Sequence, residues 1–337
     1  MCSGSVGFER EETMAYEPVR WGILSTARVN RHFIPAAQRS LKVELVGVAS
    51  RRRDRGLAYA AEWRIPRSYE SYEALLADRA IEAVYVSVPN SLHCEWAIRA
   101  AAAGKHVLCE KPLGRDPGAV AAAFDQAHEA GTLLMEAFMW RHTPQTRALK
   151  QLLEEGHIGT LRLIRACFSF QVDAANIRLR PDLDGGSLMD IGCYCVNAFR
   201  LIAGEPTLVF GQQWTGATNT DAAFTASLRF AGNVLGLFDC GIALVKRDEL
   251  EAIGSHGALF LDDPWHCRTP VIELRKDGSV ERRVLDPANP YQLEIENFSD
   301  AIRGEAVPLL GRDDAVGQAR VIQALFESAA SGRALPL

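Results

Sequence analysis

Five short apolar runs in the first 140 residues, each followed by a helix-length amphipathic stretch, leave few folds open to this chain of 337 residues. The runs lie at 19–24, 43–49, 83–88, 106–109 and 133–136. Helix patterns fall near 30–38, 54–62, 69–76, 92–103 and 117–130. Ser91 is placed to cap the fourth helix and Gly104 to stop it, while Pro117 opens the fifth and Gly131 follows it. Strands alternating with helices through short links predict a doubly wound parallel sheet.

Past residue 140 the pattern changes. A helix near 145–155 leads to β-branched and aromatic runs at 161–170, 207–214, 223–230, 234–241, 250–253, 258–261, 271–274 and 280–285. Turn signals such as Ala231-Gly232-Asn233 and Lys276-Asp277-Gly278-Ser279 separate them. The expected fold class is therefore α/β: a Rossmann domain over 18–138, then a second α/β domain over 139–337 built on a large, mainly antiparallel open sheet. Such a sheet has two faces to cover, one by helices and one by a partner subunit, so a homodimer or homotetramer is expected. Residues 1–17, with Glu9-Arg10-Glu11-Glu12 and no signal-peptide core, read as a mobile arm.

The chemistry concentrates at His106-Val107-Leu108-Cys109-Glu110-Lys111-Pro112-Leu113. A buried strand ends there and presents Glu110 and Lys111 at its carboxyl edge, where open parallel sheets bind ligands. Pro112 makes Lys111 a stiff corner. The first strand–helix turn has Ser25, Ala27 and Asn30 where a dinucleotide fingerprint has three glycines. Ser25, Thr26 and Ala27 are small enough to let a pyrophosphate approach the helix N-terminus. At the end of the second strand, Ser50 precedes Arg51, Arg52 and Arg53 instead of an acidic ribose ligand. That exchange favours the 2′-phosphate of NADP over the free hydroxyl of NAD. Further on, Asp184-Gly185-Gly186-Ser187 precedes a helical stretch over 188–203, in which Asp190, Tyr194 and Asn197 fall on one face.

Composition narrows the partners. Lys plus Arg total 37 against 42 Asp plus Glu, a net charge of −5 with both signs interspersed, so no nucleic-acid footprint is present. No apolar stretch is long enough for a membrane helix. The eight cysteines are scattered, several inside apolar strands, which fits reduced thiols and a cytoplasmic protein. Cys193 and Cys195 lack the companions of a zinc site, and no metal is expected.

Three motifs in order, Glu110-Lys111-Pro112, Val88-Pro89-Asn90 with His93, and Gly185-Gly186-x-x-x-Asp190-x-x-x-Tyr194, resemble those of the glucose-fructose oxidoreductase, inositol dehydrogenase and rhizopine-catabolism (Gfo/Idh/MocA) family. The resemblance covers about 19–335. Tyr194, where many members have histidine, and the run Met135-Glu136-Ala137-Phe138-Met139-Trp140-Arg141-His142 look like the branch of glucose-fructose oxidoreductase, dimeric dihydrodiol dehydrogenase and NADP-dependent xylose dehydrogenases. The resemblance implies a catalytic set of Lys111, Asp190 and Tyr194. It implies cofactor contacts from Ser25, Thr26, Ala27, Arg28, Val29, Ser50, Arg51, Arg55, Val88, Pro89, Asn90, His93, Glu110, Lys111, Trp140 and Arg141. The implied activity is an NADP-dependent dehydrogenase or reductase of a sugar or cyclic polyol. The alternatives are a ketoreductase of a nucleotide-linked keto-sugar and a catalytically silent dinucleotide sensor. In the mechanism so read, Tyr194 transfers the proton, Lys111 lowers the phenol's pKa and Asp190 orients the pair or the substrate.

Overall fold

The computed structural model describes residues 16–337. Six strands, β1 (Val19–Leu24), β2 (Val43–Ala49), β3 (Arg67–Tyr69), β4 (Ala83–Val86), β5 (His106–Glu110) and β6 (Leu134–Ala137), form one sheet in the order β3-β2-β1-β4-β5-β6. All its pairings are parallel. The connecting helices are α1 (Asn30–Arg39), α2 (Arg53–Trp63), α3 (Tyr72–Leu76), α4 (His93–Ala102) and α5 (Pro117–Glu129). Strand order reverses between β1 and β4, which opens a crevice at their carboxyl ends. The buried runs Ala83–Val86 and His106–Glu110 lie beside it, so the Glu110–Lys111 corner falls where a ligand enters.

Helix α6 (Pro144–Glu154) leads into β7 (Leu161–Gln171), a one-turn π-helix (Leu188–Gly192) and α7 (Cys193–Ala203). Seven strands follow β7: β8 (Pro206–Thr215), β9 (Asp221–Phe230), β10 (Leu235–Gly241), β11 (Ala243–Gly254), β12 (Ala258–Asp262), β13 (Val271–Lys276) and β14 (Ser279–Val284). With β15 (Leu335–Pro336) they make a nine-stranded sheet, β14-β13-β12-β11-β7-β10-β9-β8-β15. Only β7 and β10 pair in parallel. Its inner face buries Phe168, Phe224, Phe238 and Leu250 beneath α7 and α9 (Arg312–Ser331), and its outer face is open.

The structure departs from the sequence reading in several places. The short strand β3 was not expected, and Ser71, not residue 69, begins α3 by accepting from Ala74 N. Ser91 caps nothing: it lies in a 3-10 turn (Asn90–Leu92), and α4 starts at His93. Strand β11 runs well beyond residues 250–253, because pairing with β7 and β12 carries the charged segment Lys246–Glu249 into the sheet. Helices α8 (Pro290–Arg303) and α9 were not read at all. Most of the expected N-terminal arm, residues 1–15, lies outside the described residues. Its last two residues are anchored. Lys42 Nζ lies 5.6 Å from the Tyr16 ring, and Arg303 donates to Glu17 O.

Helix α8 returns from the second sheet to cover the first. Trp21 of β1 sits between Phe33 of α1 and Phe298 of α8, with ring centroids 6.0 and 5.9 Å away, and its Nε1 donates to Ser299 Oγ. Phe33 stacks on Tyr85 of β4 at 3.8 Å. Such aromatic packing joins the two sheets through the C-terminal helices, so the crevice has a fixed floor.

Candidate active site

Lys111 is fixed from three directions. The Lys111–Pro112 peptide is cis. The buried His93 ring spans the corner, Nδ1 lying 2.8 Å from Pro112 O and Nε2 2.9 Å from Val88 O. Burial pushes the His93 pKa down to about 4, against the pull of both carbonyls. On the far side, Leu113 N donates to Glu136 Oε1 at 2.7 Å. Held this way, Lys111 Nζ donates to Asp190 O at 2.7 Å, lies 3.6 Å from Asp190 Oδ1, and sits 4.9 Å from the Tyr194 ring centre.

The two glycines allow the segment carrying Asp190 and Tyr194 to come this close. A Cβ on Gly186, whose φ is +111, would fall 1.9 Å from Asp221 Oδ1, and one on Gly185 would fall 2.4 Å from Arg178 O. Asp221 accepts from Ser187 Oγ and Leu188 N at the start of the π-helix. Arg178, on the loop between β7 and the π-helix, donates its Nε to Asp190 Oδ2. Burial opposes the Asp190 charge, but Arg178 and then Lys111 outweigh it and hold the carboxyl below its usual range. Lys111 itself is held above its ordinary value, burial being outweighed chiefly by Asp190.

Tyr194 lies among Phe138, Phe168 and Trp265, with ring centroids 5.5, 5.5 and 5.7 Å away, and its hydroxyl donates to Met139 Sδ. Burial pushes this phenol well above 10. The expectation that Lys111 lowers it is corrected here: the ammonium lies over the ring face, and burial of the phenol dominates. Nor is the Asp190–Tyr194–Asn197 stripe a solvent face, since all three are buried. Asn197 Oδ1 faces the other way and accepts from Trp140 Nε1 and Arg141 Nη1.

That geometry also corrects Trp140 and Arg141 as cofactor contacts. Trp140 is fully buried against Trp265, Arg141 lies near Asp314, and neither lines the cleft. They secure α7 instead. The cleft itself, about 530 Å³, is lined on the Rossmann side by Ala27, Arg28, Val29, Val88, Asn90 and His93 with Glu110 and Lys111. Asp190, Tyr194 and Arg178 enter from the other domain. Ser25, Thr26, Ser50 and Arg51 lie at the neighbouring strand ends and Arg55 in the first turn of α2, all outside this cleft. A second hollow of about 540 Å³ on the outer face of the nine-stranded sheet holds none of these groups.

The site fits a dinucleotide although the glycines are absent. Ser25 adopts the positive φ of 103° that the fingerprint ordinarily assigns to glycine, with its Oγ donating to Ser87 O. Helix α1 has no side-chain N-cap; its first N–H groups, of Asn30, Arg31 and His32, bond the carbonyls of Ala27, Arg28 and Val29, which leaves the N–H groups of Arg28 and Val29 for a pyrophosphate. Arg52 pairs with Asp54 and Arg53 approaches Glu70, whereas Arg51 has no carboxylate partner among the described residues. Arg55 donates to Thr26 O and braces the turn.

Among the described residues no disulfide forms, and Cys193 and Cys195 are buried free thiols. Asp248, Asp263 and His266 come within ligand range of one another, but the Arg268 guanidinium already bonds both carboxylates. Arg178 and Asp221 went unnoticed in the sequence, and Glu136 entered only as part of the run over 135–142, with no role given to it. Only the paired glycines hinted that another segment passes close by.

The chain matches the model of the oxidoreductase family with an NAD-binding Rossmann fold over residues 19–138 and that of the GFO/IDH/MocA C-terminal domain over 146–260. It is similar to D-xylose 1-dehydrogenase (NADP(+)) 2 of Haloferax volcanii, with 37% identity across 94% of this chain and 99% of that one. A solved 3-ketoreductase from Actinomadura kijaniata, in complex with NADP and TDP-benzene, superposes with a TM-score of 0.88 at 31% identity, covering 93% and 98% of the two chains. An aldose-aldose oxidoreductase from Caulobacter crescentus, complexed with glycerol, gives 0.88 at 26% identity over 95% and 100%.

Glu136 offers a pH test of how the corner is held. Burial raises its pKa from 4.5 to about 8, and its Oε2 has no partner. Between those values the folded protein keeps a proton that the unfolded chain has lost, so stability falls as pH rises through the interval. Glu136→Gln, which cannot ionise, should flatten that slope and unfold about 1–3 kcal/mol later than wild type at the alkaline end. Urea unfolding of both proteins across the interval checks this, and parallel pH profiles would refute it.

Proposed function

We propose, from the premise that this chain belongs to the Gfo/Idh/MocA oxidoreductase family, that Lys111, Asp190 and Tyr194 form its catalytic centre. The protein is an NADP-dependent oxidoreductase. It transfers a hydride between the nicotinamide and a carbinol or carbonyl carbon of a sugar or cyclic polyol. The observation that carries the assignment of residues is the meeting of Lys111 from one domain with Asp190 and Tyr194 from the other.

Bound NADP(H) supplies or accepts the hydride. The protein's own groups manage the proton. In carbonyl reduction, the Lys111 ammonium and the Tyr194 hydroxyl both offer hydrogen bonds to the substrate oxygen. The phenol gives that oxygen its proton as it becomes an alcohol, and Lys111 stabilises the developing negative charge. Asp190, ionised between Arg178 and Lys111, keeps the lysine cationic and aimed. Because Asp190 holds the ammonium protonated against burial, and burial itself holds the phenol protonated, the site favours proton donation over abstraction. This supports the second reading, a ketoreductase, with a nucleotide-linked keto-sugar as one substrate.

Toward the cofactor, Ser50 and the unpaired Arg51 stand where the 2′-phosphate would lie, and Ser25 to Val29 would cradle the pyrophosphate. The outer sheet face exposes Trp214, Leu235 and Leu237 at 57%, 47% and 46%, and we assign it to a second copy of the chain in a cytoplasmic homodimer or tetramer. The unpaired thiols support the reducing compartment.

Four measurements test these assignments. Arg51→Ala should weaken NADPH binding about 10- to 100-fold and leave NADH binding nearly unchanged, since only the former carries a phosphate there. Light scattering should return at least a dimer mass, and a monomer at micromolar concentration would remove the sheet assignment. Tyr194→Phe and Lys111→Met should each lower turnover about 10²–10⁴-fold with cofactor affinity retained. In wild type, the oxidation rate should climb as pH rises towards the alkaline range, because only then does the donor pair release its proton. Near-wild-type turnover in Tyr194→Phe would eliminate the phenol as the proton-transferring group.

A further inference from the structure

The cleft carries positive charge that the reaction does not use. On the wall formed by the nine-stranded sheet, the β7–β11 register breaks between Ala243 and Arg247, and Ser169 Oγ donates to Val245 O within the bulge. The bulge turns Lys246 towards the cleft, where it is exposed and has no carboxylate partner among the described residues. Beside it, Arg268 is anchored by Asp263 and Asp248 at 2.6 and 3.2 Å. His266 Nδ1 lies 3.5 Å from Asp263 and 3.7 Å from Asp248.

Arg31 and His32, in the first turn of α1, face this wall from the other domain. The His32 ring stacks on Tyr291 at 5.5 Å. Its pKa is lowered first by burial, then by Arg31, His266 and Arg268, so cations approach it from both walls. The carboxylates of the cleft do not cancel the charge of Lys246 and Arg31, since Asp248 and Asp263 are taken up by Arg268 and His266. Asp190 is shared by Lys111 and Arg178, Asp248 is held by Arg268, and Glu110 is bonded to the Tyr85 phenol. Asp173 alone stands unpaired against Arg31 and Lys246.

The cofactor does not account for the cations of the sheet wall. Its phosphates belong at the α1 N-terminus and at the end of β2, whereas Lys246, His266 and Arg268 belong to the other domain. They also lie near the reacting groups: the Phe168 ring is 5.5 Å from Tyr194 and 5.9 Å from His266. A substituent on a sugar held at Tyr194 would need to pass only that one ring.

We propose that the substrate is an anionic sugar or polyol, whose phosphate or carboxylate group is held between Lys246 and Arg31 beside His266. The inference rests on the oxidoreductase reading above and adds the substrate's charge to it. Lysine and arginine bind such oxyanions through charge-assisted hydrogen bonds.

The test titrates the NADPH-loaded enzyme, by calorimetry, with glucose, glucose 6-phosphate, glucuronate and TDP-glucose. At least one anionic compound should bind about tenfold or more tightly than glucose. Which one does so separates a phosphate ester, a carboxylate and a nucleoside diphosphate as the source of the charge. The preference should shrink as salt is raised. Lys246→Ala should bring the anionic-to-neutral affinity ratio towards one, and Lys246→Arg should keep it. Glucose binding as tightly as every anionic compound, binding of none of the four, or an unchanged ratio in Lys246→Ala would overturn the proposal. In each of those cases intact NADPH binding and turnover of neutral sugars would leave the oxidoreductase reading standing. Failure to bind NADPH would remove both.

Discussion

The Lys111–Asp190 contact is the joint on which the rest of the site depends. It links the carboxyl edge of the parallel sheet to the π-helix of the second domain, groups separated by 79 residues in the chain. Both side chains are almost removed from solvent, at 12% and 11% exposure. Burying two charges is costly unless each is well supplied with partners. Here the ammonium bonds a backbone carbonyl as well as facing the carboxylate, and the carboxylate also has Arg178. Loss of Asp190 would leave the buried Lys111 charge without its counter-ion, so the three hold the domains in one relation as well as serving the reaction.

The surrounding packing makes that relation stiff. Helix α8 clasps Trp21 of the first sheet through Phe298 and Ser299, and Arg303 of the same helix bonds Glu82 at the end opposite the site. Helix α9 reaches α7 through Gln318, whose Nε2 donates to Cys193 O, next to Tyr194. The last fifty residues thus secure both halves of the catalytic centre from behind. A hydride transfer needs its donor and acceptor held close, and a framework anchored at both ends is what keeps them there.

Much of this was legible in the sequence, and what was not has a common cause. The strand–helix alternation of the first half and the long sheet of the second follow from local periodicity, which residues within one element determine. Lys111, Asp190 and Tyr194 stood out because Pro112 and the Gly185–Gly186 pair mark unusual backbone beside them. Arg178 and Asp221 carry no such mark, because their roles arise only when distant segments fold together. Charged strand β11 was cut short for the same reason, since its pairing with β7 overrides its polar composition. Trp140 and Arg141 misled in the opposite direction: a motif fixed their neighbourhood, while burial turned their side chains towards Asn197. Ser25 shows a subtler limit, since its residue type gives no sign of a left-handed backbone that the turn nevertheless imposes.

Three carboxyl groups around Lys111 show how the fold sorts one residue chemistry into different states. Glu110, Glu136 and Asp190 are all buried, and burial alone would neutralise each. Glu110 has the Tyr85 phenol for a partner, and its carboxyl stays raised. Glu136 has a single backbone N–H from Leu113 and is raised further, to about 8. Asp190 alone meets two cations, and it alone falls below its ordinary value. The number of positive partners therefore decides which acid ionises. Had Glu110 or Glu136 shared those partners, Lys111 would face a second negative charge and hold its proton still more firmly. With one ionised acid shared between Lys111 and Arg178, the group carries a net positive charge beside the phenol. An oxygen that gains electron density during hydride transfer meets that charge already in position, with no rearrangement required at the moment of reaction.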